Sequence, residues 1–306
     1  MSTPASSTLA PPRSATQETP ARRAVRAFFK SHLASFGLVL LCCIVAAALL
    51  APIIAPQNPY DLLQLDIMNS RLEPGSVSLD GKTFWLGTDD QGRDILSGIM
   101  YGLRISLLVG VSSALFAALV GASLGLVAAY AGGRTETLIM RGVDLQLSFP
   151  AILVALMILA LLGKGIMNVV LALVIVEWAA YARTARGAAL VERRKEYIEA
   201  AEALALPRWR LLFVHLLPNC LPPLIVIATV QVARAIALEA TLSFLGLGVP
   251  VTEPSLGLLV ANGYQYMLSG KFWISLYPGV ALMIVVVTIN LVGDRLRDVL
   301  NPRSSR

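Results

Sequence analysis

Six stretches of this chain can be measured against the thickness of a lipid bilayer. A helix of about 20 mostly apolar residues crosses the roughly 30 Å of hydrocarbon, at about 1.5 Å per residue. The stretches are 34–55, 105–131, 145–163, 166–182, 221–245 and 272–293. Inside lipid every backbone N–H and C=O has to be satisfied within the segment, so helices are the spanning element expected here. The expectation is an all-α integral membrane protein with six transmembrane helices. Composition agrees: the 306 residues are 56% apolar and only 14% charged, too little charge to cover a soluble surface. The third and fourth stretches are short and separated by Gly163-Lys164-Gly165, which predicts a tight helical hairpin.

Loop charges orient the chain. With both termini in the cytoplasm, 18 Lys and Arg fall inside, seven of them between Arg183 and Arg210. Only Arg71, Lys82, Arg93, Arg104, Lys164 and Lys271 then fall outside. Basic residues concentrate on the cytoplasmic side, so inside termini are expected. The net charge of +6 therefore reads as loop asymmetry rather than as a nucleic-acid footprint.

The long loop 56–104 is then external, with seven acids against four bases. Its stretch GTDDQGRDILSGIMYGLR (87–104) lacks the alternating ligand order and closing Glu of a calcium loop, so a structural turn leading into an interfacial helix is expected. Residues 1–21 are rich in Ser, Thr, Pro and Ala and read as disordered, and the first apolar run as an uncleaved anchor. Cys42, Cys43 and Cys220 have no metal-type spacing, and His32 and His215 are isolated, so no metal or other cofactor is expected. No G-x-x-x-x-G-K-[ST] phosphate loop occurs, nor a Ser/His/Asp set or H-E-x-x-H, which leaves an enzyme reading without support.

The most informative polar stretch is EYIEAAEALALPRWRLLFVHLLPN, 196–219, between the fourth and fifth apolar runs. Tyr197, Ala200, Ala201 and Leu204 fall at helical spacing and predict one narrow face of small and apolar groups. Pro207 disfavours helix at Leu206 and is well placed to open a second helix, whose apolar face is Trp209, Leu212, Phe213 and Leu216, leading to Pro218. Amphipathicity alone fits either a helix lying on lipid headgroups or one docking against a partner protein.

EAAEALALPRWRLLFVHLLPN (199–219) resembles the EAA loop of ATP-binding cassette (ABC) importer permeases, in which E-A-A is followed by a Gly and an apolar run ending in L-P. WLGTDDQGRDILSGIMYGLRISLLVG (85–110), RGVDLQLSFPAILVAL (141–156), YARTARG (181–187) and EATLSFLGLG (239–248) are similar to the dipeptide/oligopeptide/nickel permease group, in particular its C-type subunit. The resemblance covers most of 33–302. It implies a type I ABC importer transmembrane domain with a permease core over 105–294 and an EAA loop at 184–218. The flanks are a disordered cytoplasmic tail (1–32), a first helix with external loop (33–104) and a C-terminal tail (295–306).

The same resemblance implies a bacterial inner-membrane location and several partners: a homologous second permease, two cytoplasmic ATPases and a periplasmic or lipid-anchored solute-binding protein. The coupling surface it implies is Tyr197, Glu199, Ala200, Ala201, Leu204, Ala205 and Pro218, with Glu199 offering a charge-assisted contact at its rim. Where the family has Gly, this chain has Ala205; a side chain in a left-handed conformation costs roughly 1–2 kcal/mol. Ala205 is therefore expected to stay helical, with the break moved to Leu206-Pro207.

Three charges lie within the apolar runs: Glu177, Arg234 and Glu239. Each has to face protein or water. Two readings stand: a polar lining that meets the charged termini of a peptide, or a structural Glu177–Arg234 pair or partner contact, the latter preferred. At the inner interface, Asp144 is expected to pair with Arg141, and Arg183 and Arg186 to anchor their helix at lipid headgroups. The function expected is import of di- or oligopeptides by alternating access, driven by ATP hydrolysis on partners. The alternatives are chelated nickel carried by the same machine and an ion-coupled carrier using Glu177 or Glu239.

Overall fold

The computed structural model describes residues 20–59, 61, 65–78, 81–250 and 252–300. Helix α1 (Pro20–Phe29) precedes α2 (His32–Ile54), whose N-terminus is capped by Ser31. The tail expected to be disordered therefore holds a helix over its last third, with Arg22, Val25, Arg26 and Phe29 exposed; its residues 1–19 lie outside the described ones. At 23 residues, α2 is about 35 Å long and crosses a bilayer unaided. It packs on α3 (Ile95–Ala131) and α11 (Trp273–Leu300) through Ala34, Gly37, Ile44, Ala48 and Ala51.

The segment between α2 and α3 is held by hydrogen bonds to its backbone. A two-residue hairpin, β1 (Ser76–Val77) against β2 (Thr83–Phe84), leads into a turn where Asp89 Oδ1 accepts from the amides of Gln91 and Arg93, both at 2.8 Å. Asp94 caps α3, accepting from Ser97 N at 2.8 Å and Ser97 Oγ at 2.6 Å. The Gln57 side chain accepts from Asp94 N at 2.7 Å, and Gln57 N donates to Ser97 Oγ at 3.1 Å, so the end of α2 is pinned to the start of α3.

Two segment boundaries differ from those expected. No separate interfacial helix precedes the second span: α3 runs unbroken for 37 residues from Asp94, about 56 Å, far beyond the hydrocarbon thickness. Nothing between 95 and 131 stops a helix, since its glycines serve close approach; a Cβ on Gly121 or Gly125 would overlap the carbonyls of Trp178 and Ala182 on the neighbouring helix. The third stretch is not one straight span. Pro150 excludes helix at Phe149, splitting it into α4 (Gly133–Ser148) and the 12-residue α5 (Ala151–Leu162), bent by 93°. The described residues thus hold five helices long and apolar enough to cross a membrane, with the bent pair as the sixth element.

Gly163 and Gly165, both at positive φ, turn the chain from α5 into α6 (Ile166–Glu192) as the sequence suggested. α6 continues ten residues past its expected end. After α7 (Glu196–Ala203), a single turn α8 (Arg208–Arg210) passes through a π-helical turn (211–216) into α9 (Leu217–Phe244). Pro218, Pro222 and Pro223 in α9 each lack the N–H for an i→i−4 bond, and the wider π turn sits just before them. A short helix, α10 (Leu256–Tyr264), folds back between α9 and α11; Gly257 lies so close to Ala240 that no side chain fits there. α11 ends at Leu300, so the expected tail from 295 begins as helix, and 301–306 lie outside the described residues.

Candidate functional site

One face of the bundle is assembled where α3 and α6 end and α9 begins. Ile198 and Ala201 of α7 are buried in one cluster with Leu126, Ala129, Leu211 and Leu216. Arg193 donates to the carbonyl of Ala129 at 3.1 Å and lies over the Tyr130 ring at 5.3 Å, closing the C-terminal end of α3, where carbonyls lack helical partners. Sequence reading missed Arg193, which is buried in significance within the run Arg193-Arg194-Lys195. The short loop between α6 and α7 is braced by Glu192, which accepts from Lys195 Nζ at 2.6 Å and Tyr197 Oη at 3.0 Å.

The expected apolar face of α7 is divided. Ala201 turns inward, while Tyr197, Ala200 and Leu204 point outward, Leu204 with 74% of its surface exposed, and Glu199 is exposed beside them. In the following turns Leu211, Leu212 and Leu216 are buried and Trp209 and Phe213 exposed, because the π turn shifts the face by a fraction of a turn. Pro218, at the second position of α9, is exposed. What remains is a protruding patch of apolar and small side chains, clamped from behind onto the ends of three spans.

Ala205 corrects the sequence reading. It is not helical but left-handed, with φ 51°. Its N–H donates to Glu202 O at 2.9 Å and that of Leu206 to Ala201 O at 3.3 Å, the double closure of a helix ending on a left-handed residue. Pro207 forbids further helix at Leu206, and only a reversal at 205 lets Leu206 reach back to Ala201.

The interface charges also pair differently from expectation. Asp144 accepts from Arg183, at 2.6 Å, and not from Arg141; Arg186 pairs with Glu136 through both Nε and Nη2. Both bridges join α4 to α6. Arg141, three residues from Asp144 on the same helix, is exposed.

Of the intramembrane charges, Glu239 is fully buried. It accepts from Ser106 Oγ of α3 at 3.0 Å and Ser243 Oγ at 2.7 Å. It ties α3 to α9 at the end of the bundle opposite α7. Glu177 and Arg234 do not form an ion pair. Glu177 is 2% exposed and neither carboxylate oxygen has a hydrogen-bond partner, while Arg234 is exposed on the facing stretch of α9.

Between the inner halves of α6, α9 and α11 lies an open cavity of about 720 Å³, bounded by Thr184, Val191, Pro223, Val230, Arg297 and Leu300. Its walls come from segments more than 100 residues apart, and no sequence pattern announced it.

The chain is a polytopic helical protein with a bent third span, a folded-back helix at one end and a clamped, protruding loop at the other. Residues 121–306 match the model of the binding-protein-dependent transport system inner membrane component, and 19–74 that of the N-terminal transmembrane domain of oligopeptide transport permease C. The chain is 40% identical over 269 residues to the di/tripeptide transport system permease protein DppC of Pseudomonas aeruginosa, covering 87% of each. It is 36% identical to a probable D,D-dipeptide transport system permease protein of Escherichia coli, covering 90% of this chain and 89% of the relative. Among solved structures, the inward-facing MetNI methionine ABC transporter superposes with a TM-score of 0.54 at 22% identity, over 67% of this chain and 96% of that one. The chain belongs to the family of binding-protein-dependent transport system inner membrane components.

Proposed function

We propose that this chain is the permease subunit of an ATP-driven importer that carries di- or oligopeptides inward by alternating access. In this reading both termini are cytoplasmic. The chain pairs with a homologous permease, receives substrate from an external solute-binding protein and is driven by two cytoplasmic ATPases. The observation that carries the reading is the inner loop: Tyr197, Ala200 and Leu204 project outward from α7 while Ile198 and Ala201 fix it to α3 and α9. A push on that patch is transmitted to the spans through close-packed side chains, which switch between discrete arrangements rather than deform smoothly. Glu199 and Ala200 offer, respectively, a charge at the rim and room for close approach. The relatives named above are peptide permeases, which favours peptide over chelated nickel as cargo.

Cysteine at Ala200 or Leu204, in a chain with Cys42, Cys43 and Cys220 replaced, tests this. A membrane-impermeant maleimide is expected to label inverted vesicles and not intact cells, and bound ATPases to protect both positions. Labelling of intact cells, or uptake by assemblies stripped of their ATPases, refutes it.

A further inference from the structure

Beyond the last residues of the inner cavity's wall lie polar groups without hydrogen-bond partners. On α9 its wall is Pro223, Val226 and Val230, a stripe at helical spacing whose next member is Arg234, one turn further toward the outer side. On α6 the wall begins at Thr184, and Glu177 lies two turns beyond it on the same face. Four buried polar atoms at this level have no partner: both carboxylate oxygens of Glu177, the hydroxyl of Tyr181 and the amide nitrogen of Gln231. These side chains are at least nine-tenths buried. Arg234 is the cation whose field reaches Glu177, yet its own side chain is exposed. An exposed guanidinium at mid-span does not face hydrocarbon without heavy cost. It continues the stripe of the cavity wall one turn beyond Val230, on the side where the cavity opens.

We infer that Arg234, one turn beyond the wall of the inner cavity, receives the terminal carboxylate of a peptide in transit, with Glu177 behind it as a positioning counter-charge. The inference rests on the peptide-importer reading. Peptides of varied sequence share only their backbone and their two termini, so one fixed cation is useful to all of them at the C-terminus. A guanidinium matches a carboxylate with two parallel N–H···O bonds, strong where water and salt are scarce. Glu177, left without a donor, attracts the same guanidinium and so competes with the cargo, which keeps the contact from becoming a trap.

The test uses the complete transporter in proteoliposomes, with trialanine and its C-terminal amide each loaded to saturation on the binding protein before uptake is started with ATP. For the wild type, the free acid is expected to enter at least tenfold faster than the amide. In Arg234→Gln that ratio falls to about one, and Arg234→Lys restores part of it. Glu177→Gln, which removes the competitor, raises the ratio. A wild type that does not discriminate overturns the inference. So does an Arg234→Gln variant in which both rates fall and the ratio persists, as a purely structural role requires. Should Arg234→Gln fail to assemble, an unchanged ratio in Glu177→Gln overturns it instead. Failure of the wild type to move either peptide with ATP counts against the importer reading itself, a separate result.

Discussion

Replacing Ala205 by Gly separates the structure from the sequence expectation by the sign of the effect. Ala205 has φ 51°, where an L-residue's Cβ crowds the following carbonyl at about 1–2 kcal/mol and glycine is free of that cost. Glycine also makes the unfolded chain more disordered, which returns about 0.4–1 kcal/mol. The net expectation is a turn about 0.5–1 kcal/mol more stable. Had Ala205 been helical, the same substitution would destabilise by about 0.8–1 kcal/mol. The amide of Leu206, bonded to Ala201 O across the turn, reports on it directly. At about 0.59 kcal/mol per natural-log unit, Ala205→Gly should slow its hydrogen exchange roughly two- to fivefold, measured in nanodiscs against the unchanged amide of Val191. Faster exchange in the glycine variant would refute the left-handed turn. Ala205→Val should loosen the same amide, since a β-branched residue is least tolerant of positive φ.

Three further outcomes follow from the packing. Gly121→Leu should destabilise the chain by at least about 2 kcal/mol, because its side chain meets the backbone carbonyl of Trp178, and the melting temperature in detergent will show it. A double-mutant cycle should find stronger coupling between Arg186 and Glu136, side chains 35% and 24% exposed, than between Arg183 and Asp144, which are 55% and 59% exposed and expected to contribute below about 1 kcal/mol. Burial pushes the Asp89 carboxyl up to about 6, against the opposing pull of the Arg93 and Gln91 amides. Its folded-state value lies above the ordinary carboxylate range, so stability present at pH 4 should be lost as pH rises through 6. The loss is about 2–3 kcal/mol, and Asp89→Asn, which still accepts both amides, should flatten that slope in thermal melts.

The inner loop was legible because it breaks the apolar pattern: alternating Glu and Ala, then Pro207, mark two short helices wherever they sit. Its outward face was only half legible. Tyr197, Ala200, Ala201 and Leu204 share a stripe about 100° wide, and which part of it meets the protein depends on where α3 ends, at Ala131. Asp144 illustrates the same limit. Its nearest basic neighbour in sequence, Arg141, lies on its own helix, but the antiparallel approach of α6 brings Arg183, 39 residues away, within 2.6 Å. The left-handed turn at Ala205 runs against residue type alone, because closure onto Ala201 and the following proline outweigh a cost of about 1–2 kcal/mol.

Hydropathy is a property of a segment, and transfer from water to lipid needs no knowledge of neighbours. For that reason the membrane location, the helical class and the polar inner loop could all be read along the chain. The break at Phe149-Pro150 is equally local, since a proline turns the residue before it away from helix. Contacts depend on the register between helices far apart in sequence. The clamp of Ile198 and Ala201, the serines around Glu239, the bridges from α4 to α6 and the cavity beneath Arg234 exist only once those helices are packed.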